Sequence, residues 1–249
     1  MKLVIALVLV GCSRPATPRD DVRPEPVRSP PIAAAPDASP PDSAARDAAA
    51  SRGVAIVDAP MAWSDERERL TLEYRRTHSD REAKDLAIEP RVIVLHYTGG
   101  GSAKATRGYF DHVKIEAARK ELARAGAVNV SAHFVVDRDG TIYRLQPETR
   151  FARHCIGLNH LAIGIENVGD EKDHPLTAAQ VDANAVLIRD LTQRFGITHL
   201  LGHHEVMEFR ANGYYVELDA GYHNSKGDPG AAFMRRVRER LVDLELAGL

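Results

Sequence analysis

The stretch between residues 200 and 230 carries side chains that could bind a metal ion and act on a substrate. A glycine precedes His203 near its start, and Lys226 lies two residues before Asp228 near its end. Imidazole nitrogens and carboxylate oxygens are common ligands of Zn²⁺ in proteins. A lysine beside such ligands can stabilise negative charge that develops on a substrate. This combination is typical of a metal-assisted hydrolase.

A third possible ligand, His96, follows a buried strand predicted upstream. Aliphatic residues run from position 92 to Leu95, and after His96 come Tyr97, Thr98 and three glycines. This pattern predicts a central strand that ends in an open loop. Because ligands gather at the carboxyl ends of strands in α/β sheets, we expect His96 at the edge where the site lies.

A carboxylate, Glu166, lies near the end of a second predicted buried strand, Leu161–Asn167. A glutamate at the end of an apolar strand is costly to bury unless it pairs with a cation or takes part in chemistry. Burial would also raise its pKa toward the value that suits a general base. We therefore count Glu166 among the candidate catalytic residues.

Helices and strands that alternate along the chain would position these residues. The Asp139-Gly140 turn predicts a β-hairpin, and Thr177 opens a capping box at the start of a helix. The predicted fold is a single α/β domain with a central mixed β-sheet flanked by helices. The predicted helices cover residues 63–80, 103–125, 177–195 and 228 onward, and the predicted strands cover residues 91–97, 131–137, 141–146, 161–167 and 197–201.

Four landmarks, taken in order, resemble the zinc-dependent N-acetylmuramoyl-L-alanine amidase family, which includes the peptidoglycan recognition proteins. The resemblance covers about residues 88–246. Each landmark is weak alone, and their order makes the resemblance specific. They are Val-Leu-His96-Tyr-Thr, Ser131-Ala-His133-Phe-Val-Val-Asp-Arg-Asp-Gly, Ile163-Gly-Ile-Glu166, and Gly-His203 followed by Lys226-Gly-Asp228-Pro-Gly.

The resemblance implies a Zn²⁺ ion held by His96, His203 and Asp228, and it gives roles to two further residues. Glu166 would be the general base, and Lys226 would neutralise the oxyanion of the tetrahedral intermediate. The implied reaction is hydrolysis of the amide bond between N-acetylmuramic acid and L-alanine in peptidoglycan or its fragments. His204 is the rival ligand to His203, but the family's ligand follows the glycine directly, which favours His203.

The resemblance also suggests four residues that contact the substrate, and two of them have an alternative. His133 could instead be a core histidine whose hydrogen bonds are satisfied, and His154 could be an ordinary loop histidine. The long connection from His203 to Asp228 could wall one side of a substrate groove or be a surface insertion. The four candidate substrate contacts are Thr98, His133, His154 and Asn167.

Two other functions are open at this stage. A non-catalytic module could bind peptidoglycan without cutting it, and a zinc peptidase could act within the stem peptide. The complete ligand set together with Glu166 and Lys226 favours hydrolysis, because a pure binder has no need of them.

The amino-terminal part differs from the rest of the chain. Residues 1–11 read as a lipoprotein signal peptide, and Cys12 follows them where lipid would be attached. Residues 12–60 hold ten of the fourteen prolines and no aromatic residue, which predicts a disordered tether. The amidase domain would then cover residues 61–249. We expect a cell-envelope lipoprotein, and Ser13 after the cysteine favours the outer membrane, facing the periplasm.

Composition excludes other classes of protein. The 249 residues carry a net charge of −2, so there is no sign of nucleic-acid binding. Only two cysteines are present, which rules out a disulfide framework. We expect a monomer whose partners are peptidoglycan or muropeptides and, through the lipid on Cys12, a membrane.

Overall fold

A six-stranded mixed sheet runs through residues 54–248, the part of the chain that the computed structural model describes. The order across the sheet is β1-β4-β3-β5-β2-β6. Only the β3–β4 pair is antiparallel, and the other neighbours are parallel. The strands are β1 (Ile56–Asp58), β2 (Val92–Tyr97), β3 (Phe134–Val136), β4 (Ile142–Arg144), β5 (Ala162–Asn167) and β6 (His199–Gly202).

Helices cover both faces of this sheet, so the predicted α/β fold is confirmed. The main core lies between one face and helices α4 and α5, while α2 packs against the opposite face at Val135. The helices are α1 (Asp65–His78), α2 (Ala103–Asp111), α3 (Lys120–Ala125), α4 (Ala178–Phe195) and α5 (Ala231–Glu239), and short 3₁₀ segments cover His203–Glu205, Glu208–Ala211 and Val242–Leu244. No helix within residues 54–248 is both long and apolar enough to cross a membrane.

Alternation along β2 decides which face of the sheet the site occupies. Ile93 and Leu95 face the main core with α4 and α5, whereas Val92 and Val94 belong to a cluster on the other face. Successive side chains of a strand point to opposite faces, so His96 points away from α4 and α5. The site therefore lies on the face that the long connecting loops cover.

Parallel pairing brings the ends of three strands together. β2 pairs with β5 on one side and with β6 on the other, and all three run in the same direction. His96 pairs in register with Glu166, and Leu95 pairs with Gly202, the residue before His203. Three residues that are distant in sequence thus meet at one edge of the sheet.

The predicted helix over residues 103–125 is wrong, because the structure divides it into α2 and α3. The backbone of Val113 and Ile115 pairs instead with Asn129 and Ala127, at N–O distances of 2.8 and 3.0 Å. These extended residues cannot also make the hydrogen bonds of a helix. The break lets Arg119 and α3 turn toward the site.

The amino-terminal boundary also differs from the prediction. The predicted tether reaches residue 60, but Ile56–Asp58 form strand β1 and pair with β4, and Val54 packs against the main core. The ordered domain therefore begins before residue 61. The predicted signal peptide, Cys12 and most of the tether lie outside the described residues.

Other local predictions are confirmed. The hairpin forms around the Asp139-Gly140 turn, although its strands are shorter than predicted. Thr177 makes the predicted capping box with Gln180 at the start of α4. The last helix begins later than expected, because Gly230, and not Asp228, is its N-cap residue. Asp228 is thereby left without a role in capping this helix.

Candidate functional site

Three ligand atoms converge at the carboxyl edge of β2, β5 and β6. Nδ1 of His96 lies 3.0 Å from Nδ1 of His203, and each of these atoms lies 3.2 Å from Oδ2 of Asp228. His203 reaches this point because β6 ends at Gly202, and Asp228 arrives from the other end of the long loop. The sequence-predicted ligands are therefore brought together.

This triangle fits a tetrahedral metal ion. Ligands about 2.0–2.1 Å from Zn²⁺ in tetrahedral geometry are separated by about 3.3 Å, close to the separations of 3.0 and 3.2 Å found here. His204 lies outside the triangle, since its Nδ1 is 3.2 Å from the backbone oxygen of Asp228. The three ligand atoms leave one tetrahedral position for water or substrate.

The charges at the triangle favour a cation. Burial alone would raise the pKa of Asp228, but its hydrogen bonds with His203 and His96 hold that pKa well below its usual range. Burial lowers the pKa of His203 to about 4, so this ring is neutral at pH 7. Burial also opposes protonation of His96, but the bond to Asp228 and the charge of Glu166 raise its pKa overall. A proton and a metal ion therefore compete for the same nitrogen of His96.

His154 fixes the other side of the His96 ring. Nε2 of His154 lies 3.2 Å from the Ala162 carbonyl, which can only accept, so this nitrogen carries the proton. Burial and the neighbouring histidines lower the pKa of His154 well below its usual value, which leaves Nδ1 as an acceptor. Nε2 of His96 lies 3.0 Å from that Nδ1 and donates to it. The lone pair of His96 Nδ1 is then directed at the triangle.

The fold makes room for this histidine at a glycine. A Cβ on Gly164 would lie 2.7 Å from the ring of His154, so only glycine fits at this point of β5. The amide oxygen of Asn159 holds the backbone of His154 and Cys155, at 2.8 and 2.7 Å. The sequence analysis missed Asn159, although asparagine in a loop often bonds nearby backbone in this way.

His133 lies in the core beneath His154 and does not line the cavity. It is fully buried, its Nδ1 accepts from the Gly164 amide at 3.0 Å, and its Nε2 donates to the Arg150 carbonyl at 2.8 Å. Neither ring nitrogen is left for a substrate. These contacts fit the alternative stated from the sequence, a core histidine whose hydrogen bonds are satisfied.

Glu166 lies beside the metal-binding triangle with one oxygen unpaired. It lines the same cavity as His96 and Asp228, and its Oε2 is buried with no hydrogen-bond partner among residues 54–248. Burial raises its pKa to about 7. A buried carboxylate with these properties can accept a proton from a water molecule in the cavity.

The cavity has a volume of about 410 Å³ and opens beside the ligand triangle. Lys226 lines it, as the sequence predicted. Thr98 also lines it, although its hydroxyl already donates to the Gly100 carbonyl and accepts from the Gly169 amide. Arg119 lines the cavity as well. Arg119 was not predicted as a site residue, because it fell inside the helix predicted over residues 103–125 and no local motif marked it.

Asn167 lies on the other face of β5, so the prediction that it contacts the substrate is wrong. It is fully buried, donates to the His96 carbonyl at 3.1 Å and accepts from the Asn184 amide at 2.7 Å. Adjacent residues of a strand point to opposite faces, and Glu166 takes the face of the cavity. Asn167 instead ties the end of β2 to α4.

The long connection between His203 and Asp228 is packed against the domain. The ring of Tyr222 is buried against α1, and Val216 donates to the Gly157 carbonyl at 2.9 Å. Nδ1 of His78 lies 2.8 Å from a carboxylate oxygen of Glu217, and these two side chains are only 3% and 5% exposed. The connection therefore forms a fixed wall of the cavity, and it is not a loose surface insertion.

Comparison with known proteins identifies the family. The sequence family described as N-acetylmuramoyl-L-alanine amidase matches residues 86–231. The chain belongs to this family. The resemblance stated from the sequence is thereby confirmed at the level of the family.

Individual relatives are more distant. The endolysin of Escherichia phage T7 is 32% identical over 100 residues, which cover 38% of this chain and 66% of that protein. For the endolysin of Enterobacteria phage T3 the identity is 31%, with the same coverage. The chain thus spans slightly less than two thirds of the length of these relatives. The solved amidase LysCS from Clostridium intestinale URNW is 21% identical with a TM-score of 0.49, and the match covers 76% of this chain and 95% of that one.

Proposed function

We propose that this protein is a zinc-dependent N-acetylmuramoyl-L-alanine amidase, which hydrolyses the bond between the lactyl group of N-acetylmuramic acid and L-alanine. One observation carries the proposal. The ligand triangle of His96, His203 and Asp228 shares its cavity with two further groups. They are Glu166, whose Oε2 is buried and has no hydrogen-bond partner among the described residues, and Lys226. Family membership points to the same bond.

The residues of this chain would divide the chemistry between them. His96, His203 and Asp228 would hold Zn²⁺, which would act as a Lewis acid and lower the pKa of water. Glu166 takes a proton from the water that attacks the amide carbonyl, and it returns the proton to the departing nitrogen. Lys226 stabilises the oxyanion of the tetrahedral intermediate. The raised pKa of Glu166, about 7, suits a group that both accepts and gives a proton.

His154 has a positioning role in this proposal. Its hydrogen bond holds the proton of His96 on Nε2, so Nδ1 stays available as a ligand. Partners of this kind orient the ligands of metal sites in general and strengthen metal binding. His154 also lines the cavity, so this role stands beside the substrate contact that the sequence suggested for it.

Digestion of purified peptidoglycan by the zinc-loaded full chain tests the activity. We expect new amino groups on alanine, detected by labelling of free amines and analysis of the labelled residues. New amino groups on other stem residues alone would indicate a peptidase instead. A protein that holds zinc and binds peptidoglycan without releasing amines would be a binding module, and in either case the amidase proposal would fail.

We also propose that the protein is attached to the cell envelope, at the outer membrane, through lipid on Cys12. This part of the proposal rests on the sequence, because residues 1–53 lie outside the described structure. Cys12→Ser should move the protein from the membrane fraction to the soluble fraction of cells, and a variant that stays with the membrane would contradict the anchor.

A further inference from the structure

Four consecutive residues, Gly202 to Glu205, connect the sheet to the ligand triangle, and we call them the ligand turn. Strand β6 ends at Gly202, and a short 3₁₀ segment covers His203–Glu205. His203 is the member of the ligand turn that belongs to the triangle. The other three members make contacts that fix where this ligand and Asp228 lie.

His204 links the ligand turn to the third ligand. Its backbone N–H donates to the carbonyl of Asp228 at 2.8 Å, and its Nδ1 lies 3.2 Å from the same oxygen. A carbonyl oxygen can only accept, so this nitrogen carries a proton and donates it. A Cβ on Gly202 would lie 2.6 Å from the ring of His204, so the glycine makes room for this arrangement. The backbone of Asp228 is thereby tied to the residue that follows His203.

Glu205 closes the ligand turn on itself. Its Oε2 accepts a hydrogen bond from the backbone N–H of Gly202 at 2.7 Å, and the residue is only 8% exposed. A buried carboxylate is costly unless a cation pairs with it and its oxygens are hydrogen-bonded. The shape of the ligand turn therefore depends on this carboxylate and on the cation beside it.

Arg238 supplies that cation from helix α5. Its Nη1 donates to Oε1 of Glu205 at 2.7 Å, and its Nη2 donates to Oε2 at 2.7 Å. Nη2 also donates to the Leu200 carbonyl in β6 at 2.8 Å. Two parallel bonds between a guanidinium and a carboxylate fix direction as well as distance. This ion pair, which we call the clamp, thus holds α5, the end of β6 and the ligand turn together.

We propose that the clamp of Glu205 and Arg238 positions two ligands of the triangle, so that metal affinity depends on it although neither residue is a ligand. This inference rests on the proposed function, because Zn²⁺ is the ion that the triangle is proposed to hold. The clamp fixes the ligand turn, which carries His203 directly and holds the backbone of Asp228 through His204. Residues that orient ligands in this way strengthen metal binding in general. Loss of the clamp would therefore loosen two ligands together.

Arg238→Met tests the inference, because methionine keeps the aliphatic part of the side chain and removes the guanidinium. Arg189→Met on α4 is a closely matched control. The Arg189 guanidinium also makes two bonds to one carboxylate, that of Asp243, both at 2.6 Å, and one to a backbone carbonyl, that of Arg240, at 2.6 Å. The side chains of Arg189 and Arg238 are 38% and 35% exposed, and Arg189 does not line the cavity at the triangle.

The readout is the affinity for Zn²⁺, measured by competition with a chelator while circular dichroism shows that each protein is folded. Arg238→Met should weaken zinc binding by about 10-fold or more, and Arg189→Met should stay within about twofold of the wild type. An ion pair that only stabilised the fold would lower the unfolding temperature and leave the zinc affinity of the folded protein unchanged. A zinc affinity of Arg238→Met within about twofold of the wild type, or an equal loss in the control, would overturn the inference.

A second variant covers the case in which Arg238→Met does not fold. Arg238→Lys keeps the positive charge but cannot make two parallel bonds to Glu205. We expect it to weaken zinc binding by about threefold or more, because the charge alone does not fix the direction of the carboxylate. A zinc affinity equal to that of the wild type would again overturn the inference.

Failure of the proposed function would look different. If the wild type bound Zn²⁺ without cleaving peptidoglycan, the zinc affinities would still decide the role of the clamp. If the wild type bound no Zn²⁺, hydrogen exchange of the metal-free proteins would decide it. The backbone N–H groups of Gly202 and His204 should then exchange at least about 10-fold faster in Arg238→Met than in Arg189→Met. Equal exchange of these groups in the two variants would overturn the inference.

Discussion

Replacing His154 tests how it orients the metal ligand His96, without changing the three ligands themselves. His154→Gln can keep the bond to the Ala162 carbonyl, because a glutamine amide reaches where Nε2 lies, but it removes the acceptor that faces His96. His154→Asn does the opposite, since its oxygen can take the place of Nδ1. The two variants are therefore matched, and only the glutamine variant should release the His96 proton from Nε2.

The structure gives the size of the effect. Binding of a metal ion at Nδ1 of His96 requires the proton on Nε2, and the side chain of His96 is only 3% exposed. Without an acceptor, that N–H stays buried and unpaired, at a cost of about 1–3 kcal/mol. The metal-free protein avoids the cost by moving the proton to Nδ1, where Asp228 accepts it at 3.2 Å. We therefore expect His154→Gln to weaken zinc binding by about 5- to 150-fold.

The assay is a competition for Zn²⁺ with a chelator of known affinity, at pH 7.5. Circular dichroism and thermal unfolding of the metal-free proteins check that each variant folds. His154→Asn should bind zinc more tightly than His154→Gln. If both variants bound zinc within twofold of the wild type, or if Asn lost as much affinity as Gln, the assignment of the His154 hydrogen bond would be refuted.

Three further outcomes follow from the geometry. Glu166→Gln should bind zinc normally and lose at least about 100-fold in kcat, because the amide accepts no proton; a variant with near-normal turnover would exclude the role. His133 has its pKa lowered to about 4 by burial and is neutral when folded. Below pH 6.5 the unfolded state binds a proton there that the folded state does not, so the free energy of unfolding of the metal-free protein should fall by up to about 3 kcal/mol between pH 6.5 and pH 4. In urea titrations, the free energy of unfolding of His133→Gln should fall less over this pH range than that of the wild type. An equal dependence on pH in the two proteins would contradict this. Gly157→Ala places a Cβ 2.2 Å from the ring of Tyr215 at a φ of +81°, so it should destabilise the fold by about 1–3 kcal/mol, whereas Gly213→Ala, with nothing within 4 Å, should not.

The metal ligands could be predicted from sequence because each follows a strong local signal. His96 follows an aliphatic strand, and parallel neighbours of such a strand must deliver their own ends to the same edge. The glycine before His203, and Lys226 two residues before Asp228, completed the pattern. The order and spacing of these residues along the chain identified the ligands. The choice of His203 over His204 came from the resemblance to the family, whose ligand directly follows the glycine.

Asn167 shows where a local rule was available and was not applied. Adjacent residues of one strand face opposite sides, so Glu166 and Asn167 could not both line one cavity. The helix predicted over residues 103–125 failed for a different reason. Its apolar spacing was helical, but residues 113–115 found backbone partners at 127–129, and such pairing is decided by the tertiary fold.

The sequence by itself determined the family, the α/β fold and the residues of the ligand triangle, because these depend on types and spacings along the chain. Only the tertiary structure decided that His154 orients His96, 58 positions away, and that α3 and the long connection line a second cavity beside the site. Contacts of this kind join segments whose separation in space is set by the packing of the whole domain. No local pattern of residues encodes that separation.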